Sequence, residues 1–202
     1  MKIIILSAQS QRGKNFHRRL SPPQVFVLTD ARGRDKKAIM ITDPYLLMKE
    51  ALKEADKGFA EGEVPVGALI VDAGGEVIAR AHNQPVSRND PTAHAEILAL
   101  RRAGSLCRNY RLEGATLAVT IEPCPMCMGA AIHARIARLI FGASDPKWGA
   151  AGSLYNLAAD DRLNHRIEVV HGIMEEECLN LMQVFFESRR GKKENGEVPK
   201  WS

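Results

Sequence analysis

From Asp43-Pro44 onward, apolar and polar positions recur with a helical period. Leu46, Leu47, Ala51, Leu52 and Ala55 mark one face, and Lys49, Glu50, Lys53 and Glu54 the other. This predicts an amphipathic helix ended by Gly62 and Pro65. Two strand-like runs follow, Val66 to Val71 and Val77 to Ala81, joined through the hairpin signal Asp72-Ala73-Gly74-Gly75. Asn83 to Asn89 reads as a loop. Asp90-Pro91 reads as a helix start, with Asp as cap and Pro in the first turn, and the helix carries Ile97, Leu98 and Leu100 before stopping near Gly104. Leu117 to Ile121 is a short apolar strand. A helix from about Met126 to Arg135 follows Pro123 and Pro125, and Leu139 to Gly142 is another strand. Ser144 to Asn164 is polar and loop-rich, Val169 and Val170 mark a last strand, and an amphipathic helix covers about Glu175 to Arg190. Strands alternating with helices predict an α/β fold: a three-layer α/β/α sandwich around a mixed sheet of about five strands.

Composition adds organisation. The chain has 202 residues, enough for one domain with a sizeable core. No apolar run approaches the roughly 20 residues of a membrane span. Of the four cysteines, two form a CxxC pair, the usage of a reduced, cytosolic chain with a metal site rather than a disulfide scaffold. Residues 1–43 carry +6 and the remainder −2, so the basic balance belongs to the leader alone. A polyanion partner must therefore be argued from local clusters. The leader does not read as part of a compact fold. Three readings stand open for it: a disordered extension or a misassigned start (Met40 and Met48 are alternatives), an organelle transit sequence, or an RNA-contacting arm. The expected division is an extension over 1–43, a zinc domain over 44–190 and a polar tail over 191–202.

The chemistry lies in two runs, Pro91-Thr92-Ala93-His94-Ala95-Glu96 and Glu122-Pro123-Cys124-Pro125-Met126-Cys127. His94, Cys124 and Cys127 suit a zinc ion held by three protein ligands, with a fourth position left for water whose pKa falls to about 7. Glu96 is left to move protons. H-x-E followed by P-C-x-x-C is the pattern of the zinc nucleobase deaminases. His94 and Glu96 are two apart and would point about 200° from each other on a regular helix. They serve one site only if the metal sits over the first turn, so two helix N-termini are expected to meet there. The alternatives are a structural zinc with Cys107 or Cys178 as fourth ligand, or a redox CxxC. Cys178, beside Leu179 and Leu181, reads as core.

Beyond these motifs the sequence resembles the bacterial tRNA-specific adenosine deaminases of the cytidine deaminase superfamily. The resemblance rests on runs between residues 44 and 190: Glu63 to Ala68, Asn89 to Ile97, Asn109 to Leu112, Thr120 to Cys127, Gly149 to Leu154 and Leu163 to Arg166. It implies a cytidine deaminase-like fold and conversion of adenosine to inosine at the tRNA wobble position, in a cytoplasmic homodimer with one zinc per subunit. It also implies that Asn83 contacts the flipped nucleotide, that Asp145 and Asn164 line the anticodon-loop path, and that Phe186 and Arg190 contact neighbouring nucleotides. Of the adjacent Phe185 and Phe186, one can pack in the core while the other stacks on a base. Arg189, Arg190, Lys192 and Lys193 are the dense basic cluster of the main domain. Ser144 and Trp148 depart from the family pattern beside Asp145. The competing functions are a deaminase of a free base or nucleoside, such as guanine or cytosine, and a non-catalytic zinc-bearing RNA-binding subunit. The second would be marked by loss of the carboxylate at position 96, which this chain keeps.

Overall fold

The computed structural model describes residues 43–194 and two strands that precede them, with side chains described over 43–190. The helix read from the 3.6-residue pattern is α1, Pro44–Glu61, capped by the Asp43 carboxylate, which accepts from the Tyr45 N–H at 2.9 Å. Strands β3 (Gly67–Val71) and β4 (Val77–His82) form the expected hairpin. Helix α2 (Pro85–Arg88) is one turn placed where a loop was expected. Its first N–H groups, those of Val86 and Ser87, donate to buried Glu63 at 3.1 and 2.7 Å, which supplies the partners that a short helix needs. Then come α3 (Ala95–Cys107), β5 (Thr116–Ile121), α4 (Pro125–His133), β6 (Arg138–Ala143), β7 (Glu168–Val170) and α5 (Glu175–Glu194). The last helix runs past Arg190, and the tail from 195 lies outside the described residues.

The sheet order is β4-β3-β5-β6-β7, with β3 antiparallel to β4 and β5, and β5-β6-β7 parallel. The sheet is therefore mixed, and five strands are what the sequence implies. Strand residues point alternately to its two faces. Ala68, Ile70, Leu117, Val119, Leu139 and Phe141 pack with Leu98, Ala99, Met128 and Ala131 of α3 and α4. The residues between them, Leu69, Ala118 and Ile140, pack with Leu47, Met48 and Ala51 of α1 and Cys178 of α5. These two apolar layers explain why the strands read as continuous apolar runs. Cys178 is thus core. Burial pushes its thiol up to about 12. Gly67 sits where β3 meets α1, and a Cβ there would run into the backbone of Ala51 and Ala55. Phe185 ties α5 to α1 through an edge contact with Phe59 at 5.7 Å, and Arg189 lies over the Phe185 ring and donates to the Gly62 carbonyl.

Further expectations differ from the structure. Asp90-Pro91 does not open α3. The Asp90 carboxylate instead accepts from the Thr92 N–H and hydroxyl, closing a tight turn, and the helix begins only at Ala95. At the other end α3 continues past Gly104 to Cys107. In the leader, Val25–Thr29 (β1) and Asp35–Ile39 (β2) pair antiparallel as a two-stranded sheet of their own, where no element was read. The rest of the leader lies outside the described residues.

Candidate active site

The turn at Asp90 leaves His94 outside α3, with extended backbone at φ −69° and ψ 151°, as its N-cap residue. The Ala95 N–H, which His94 does not satisfy, donates across to Asn83 Oδ1 at 2.8 Å. The imidazole is thereby freed from the helix face that carries Glu96. Across from it, Cys124 is the N-cap of α4, with Pro125 in the first turn and Cys127 one turn in. Two helix N-termini meet, and His94 Nδ1 lies 3.8 Å from Cys124 Sγ and 3.6 Å from Cys127 Sγ.

These distances fit a metal. With Zn–S about 2.3 Å and Zn–N about 2.1 Å, tetrahedral angles put N and S about 3.6 Å apart. One nitrogen and two sulfurs are a donor set for zinc. Among the described residues, the group of possible ligands is His94, Cys124 and Cys127 alone. Cys107 is exposed at the far end of α3, and Cys178 lies on the opposite face of the sheet. Neither cysteine that the structural-zinc alternative would use lies at the donor group. Two of the three donors, His94 and Cys124, line a cavity of about 530 Å³, so a ligand entering it meets the donor set.

The protons of the thiols follow from the same closeness. A hydrogen bond from Cys127 holds Cys124 down at about 4, against its burial and with help from His94, while the same bond pushes Cys127 up. His94 is raised by its contact with Cys124, against burial. Glu96, only 4% exposed, is raised chiefly by burial. A carboxyl raised in this way keeps a proton more readily than a free one, which suits a general acid–base.

Of the residues implied by resemblance, Asn83 and Asp145 also line the cavity. Asn83 spends its carbonyl on α3, so its amide N–H groups are what it can offer a ligand. Asp145 Oδ1 accepts from the Lys147 and Trp148 N–H groups at 2.9 and 3.1 Å, shaping its own loop. Asn164, Phe186 and Arg190 do not line it. Asn164 Oδ1 accepts from Arg135 at 2.9 Å. Met182 of α5 does reach the cavity, and Phe186 and Arg190 follow at one and two turns on the same stripe, both exposed. Phe185 is buried and Phe186 is open.

Sequence reasoning missed Glu122. It is buried, and it accepts from the N–H groups of Asp145, Ala151 and Ser153 at 3.0, 2.9 and 3.0 Å and from the Ser153 hydroxyl. Burial raises its carboxyl, but Ser153 and these backbone donors hold it below the ordinary value. Gly149 is required beside it, since a Cβ there would strike the Glu122 carboxylate. The available signal was its place next to Pro123-Cys124, a charge at the end of an apolar strand.

Known proteins resemble this chain in sequence and in fold. A family model described as the cytidine and deoxycytidylate deaminase zinc-binding region matches residues 42–143. A tRNA-specific adenosine deaminase of Bacillus subtilis is 50% identical over 76% of this chain and 94% of its own. A solved structure from a study of A-to-I editing by tRNA:A34 deaminases at the wobble position of transfer RNA is 43% identical, with a TM-score of 0.65 over 67% of this chain and 98% of that one. A guanine deaminase from Nitrosomonas europaea, at 23% identity and a TM-score of 0.65 over 74% of this chain and 87% of its own, shares the fold.

Proposed function

We propose, since this chain belongs to the tRNA-specific adenosine deaminases of the zinc-binding deaminase superfamily, that it converts adenosine and water to inosine and ammonia at the wobble position of tRNA anticodons. It acts as a cytoplasmic homodimer with one zinc per subunit, and its working domain is residues 44–190. The dimer and the compartment rest on the family resemblance. No described helix is long and apolar enough to cross a membrane.

The observation that carries the reading is a His-Cys-Cys donor trio left open toward a cavity that Glu96 also lines. His94, Cys124 and Cys127 would hold zinc, which when bound supplies a Lewis acid that makes water acidic near pH 7. Glu96 takes the proton that water loses as it attacks the amino-bearing ring carbon. It gives that proton to the adjacent ring nitrogen, then carries the remaining proton of the added hydroxyl to the departing amine, which leaves as ammonia. Asn83 donates to the nucleotide from the cavity wall. Asp145 and Asn164 line the path of the anticodon loop, and Phe186 and Arg190 on α5 meet neighbouring nucleotides by stacking and by charge.

The test is incubation of zinc-loaded protein with an anticodon stem-loop carrying adenosine at the wobble position, with inosine read by sequencing. Free adenosine, guanine and cytosine run alongside. Inosine in the stem-loop with little turnover of the free compounds is expected. No inosine from zinc-loaded protein would falsify the assignment, and preferred turnover of guanine or cytosine would favour a free-base deaminase.

A further inference from the structure

The cavity runs from a buried end to an open one. Glu96 is 4% exposed, whereas Trp148, which also lines it, is 66% exposed. An indole left so far in water forgoes much of the stabilisation that burial gives a large apolar side chain. Its backbone is nevertheless tightly held. The Trp148 N–H donates to Asp145 Oδ1, the Gly149 N–H donates to the Asp145 carbonyl at 2.8 Å, and the Asp145 N–H donates to buried Glu122. Met126, 37% exposed, lines the same cavity and is also apolar. A nucleotide turned into a pocket for chemistry leaves its neighbours in the strand unstacked. Unpaired bases are commonly received on aromatic faces.

We infer that Trp148 is a stacking platform for the base flanking the deaminated adenosine, and so sets affinity for loop RNA rather than the rate of the chemical step. The inference rests on the tRNA reading above. It also gives Asp145 a physical task in a polyanion's path. Its carboxylate oxygen is occupied by backbone N–H groups, and it holds the loop that presents the indole.

Two variants, Trp148→Ala and Trp148→Phe, test this with intact stem-loop and with stem-loops made abasic on either side of the wobble adenosine. Removing one base–aromatic stack corresponds to about a fivefold loss or more. Trp148→Ala is expected to raise KM for the intact stem-loop by that factor with kcat unchanged, and Trp148→Phe to restore most of it. At one flanking position the abasic change should weaken wild type by a similar factor yet add nothing to Trp148→Ala. The chain has two tryptophans, Trp148 and Trp201, so in a Trp201→Phe background stem-loop binding should quench the remaining fluorescence. The inference is overturned by an unchanged KM in Trp148→Ala, by equal losses on free adenosine, or by abasic effects that add fully in both backgrounds. A fluorescence change that follows protein concentration rather than RNA would overturn it too, assigning the ring to a second copy. If wild type makes no inosine on the intact stem-loop, the tRNA reading itself fails and takes the stacking role with it. If wild type does, the variants judge Trp148 alone.

Discussion

Glu96 and Glu122 are both buried carboxylates near the metal donors, and they do opposite work. Burial raises Glu96, which has few donors to hold its charge, whereas Glu122 is held ionised by three N–H groups and a hydroxyl. Glu96→Ala is therefore expected to retain zinc and fold while turnover falls by about 10²–10⁴, the range of a lost general acid–base. Zinc content and single-turnover assays on the same sample check it. Glu122→Gln keeps the shape but turns an NH₂ toward backbone donors. A loss of about 2–3 kcal/mol in thermal or denaturant unfolding is expected. Cysteine alkylation should label exposed Cys107 in the native protein and spare Cys178, whose thiol is buried and raised to about 12. The donor trio was legible because its members fall in two short runs of chemically rare residues. Glu122 was not, because its partners come from Asp145, Ala151 and Ser153, more than twenty positions away, and no local pattern announces them.

Elements were legible where periodicity alone decides them. The apolar stripe of α1 and the hairpin glycines gave boundaries within a residue or two of those observed. The start of α3 was not legible, because its cap is supplied by Asn83 from a different segment while the nearer Asp90 closes a turn instead. That substitution is what lets His94 and Glu96, two positions apart, serve one site. The contact between α1 and β3 depends on Gly67. Gly67→Ala should force the two apart and cost roughly 2 kcal/mol or more, read as a lowered denaturation midpoint. Between α1 and β4, Glu50 pairs with Arg80 at 2.9 Å. Its carboxyl is lowered by Lys53, against burial, and further by Arg80. A carboxyl depressed in the folded state stabilises above its unfolded pKa, and that contribution is lost as pH falls through the folded value. Glu50→Gln should thus be less stable than wild type at pH 7 by under about 1 kcal/mol, because the pair is partly exposed. The difference should shrink as pH falls below the ordinary carboxylate range, read in urea melts.

For the whole molecule, the alternation of strands and helices announced three layers, and the two apolar clusters on either face of the sheet bear this out. The strand order was not readable, since β3 pairs with both β4 and β5 and nothing local in those runs fixes the neighbour. Nor was the hairpin of β1 and β2 in the leader, where the basic residues dominate the pattern. The metal donors sit at the starts of α3 and α4, both packed on one face of the sheet. Chelation should lower the melting temperature as well as abolish deamination, and added zinc should restore both. The loop from Asp145 to Ser153 has its own inheritance. It is moored to a carboxylate that belongs to the strand end before the cysteines. An engineer grafting this segment from one deaminase onto another would have to move position 122 with it, for the two stretches form a single exchangeable part.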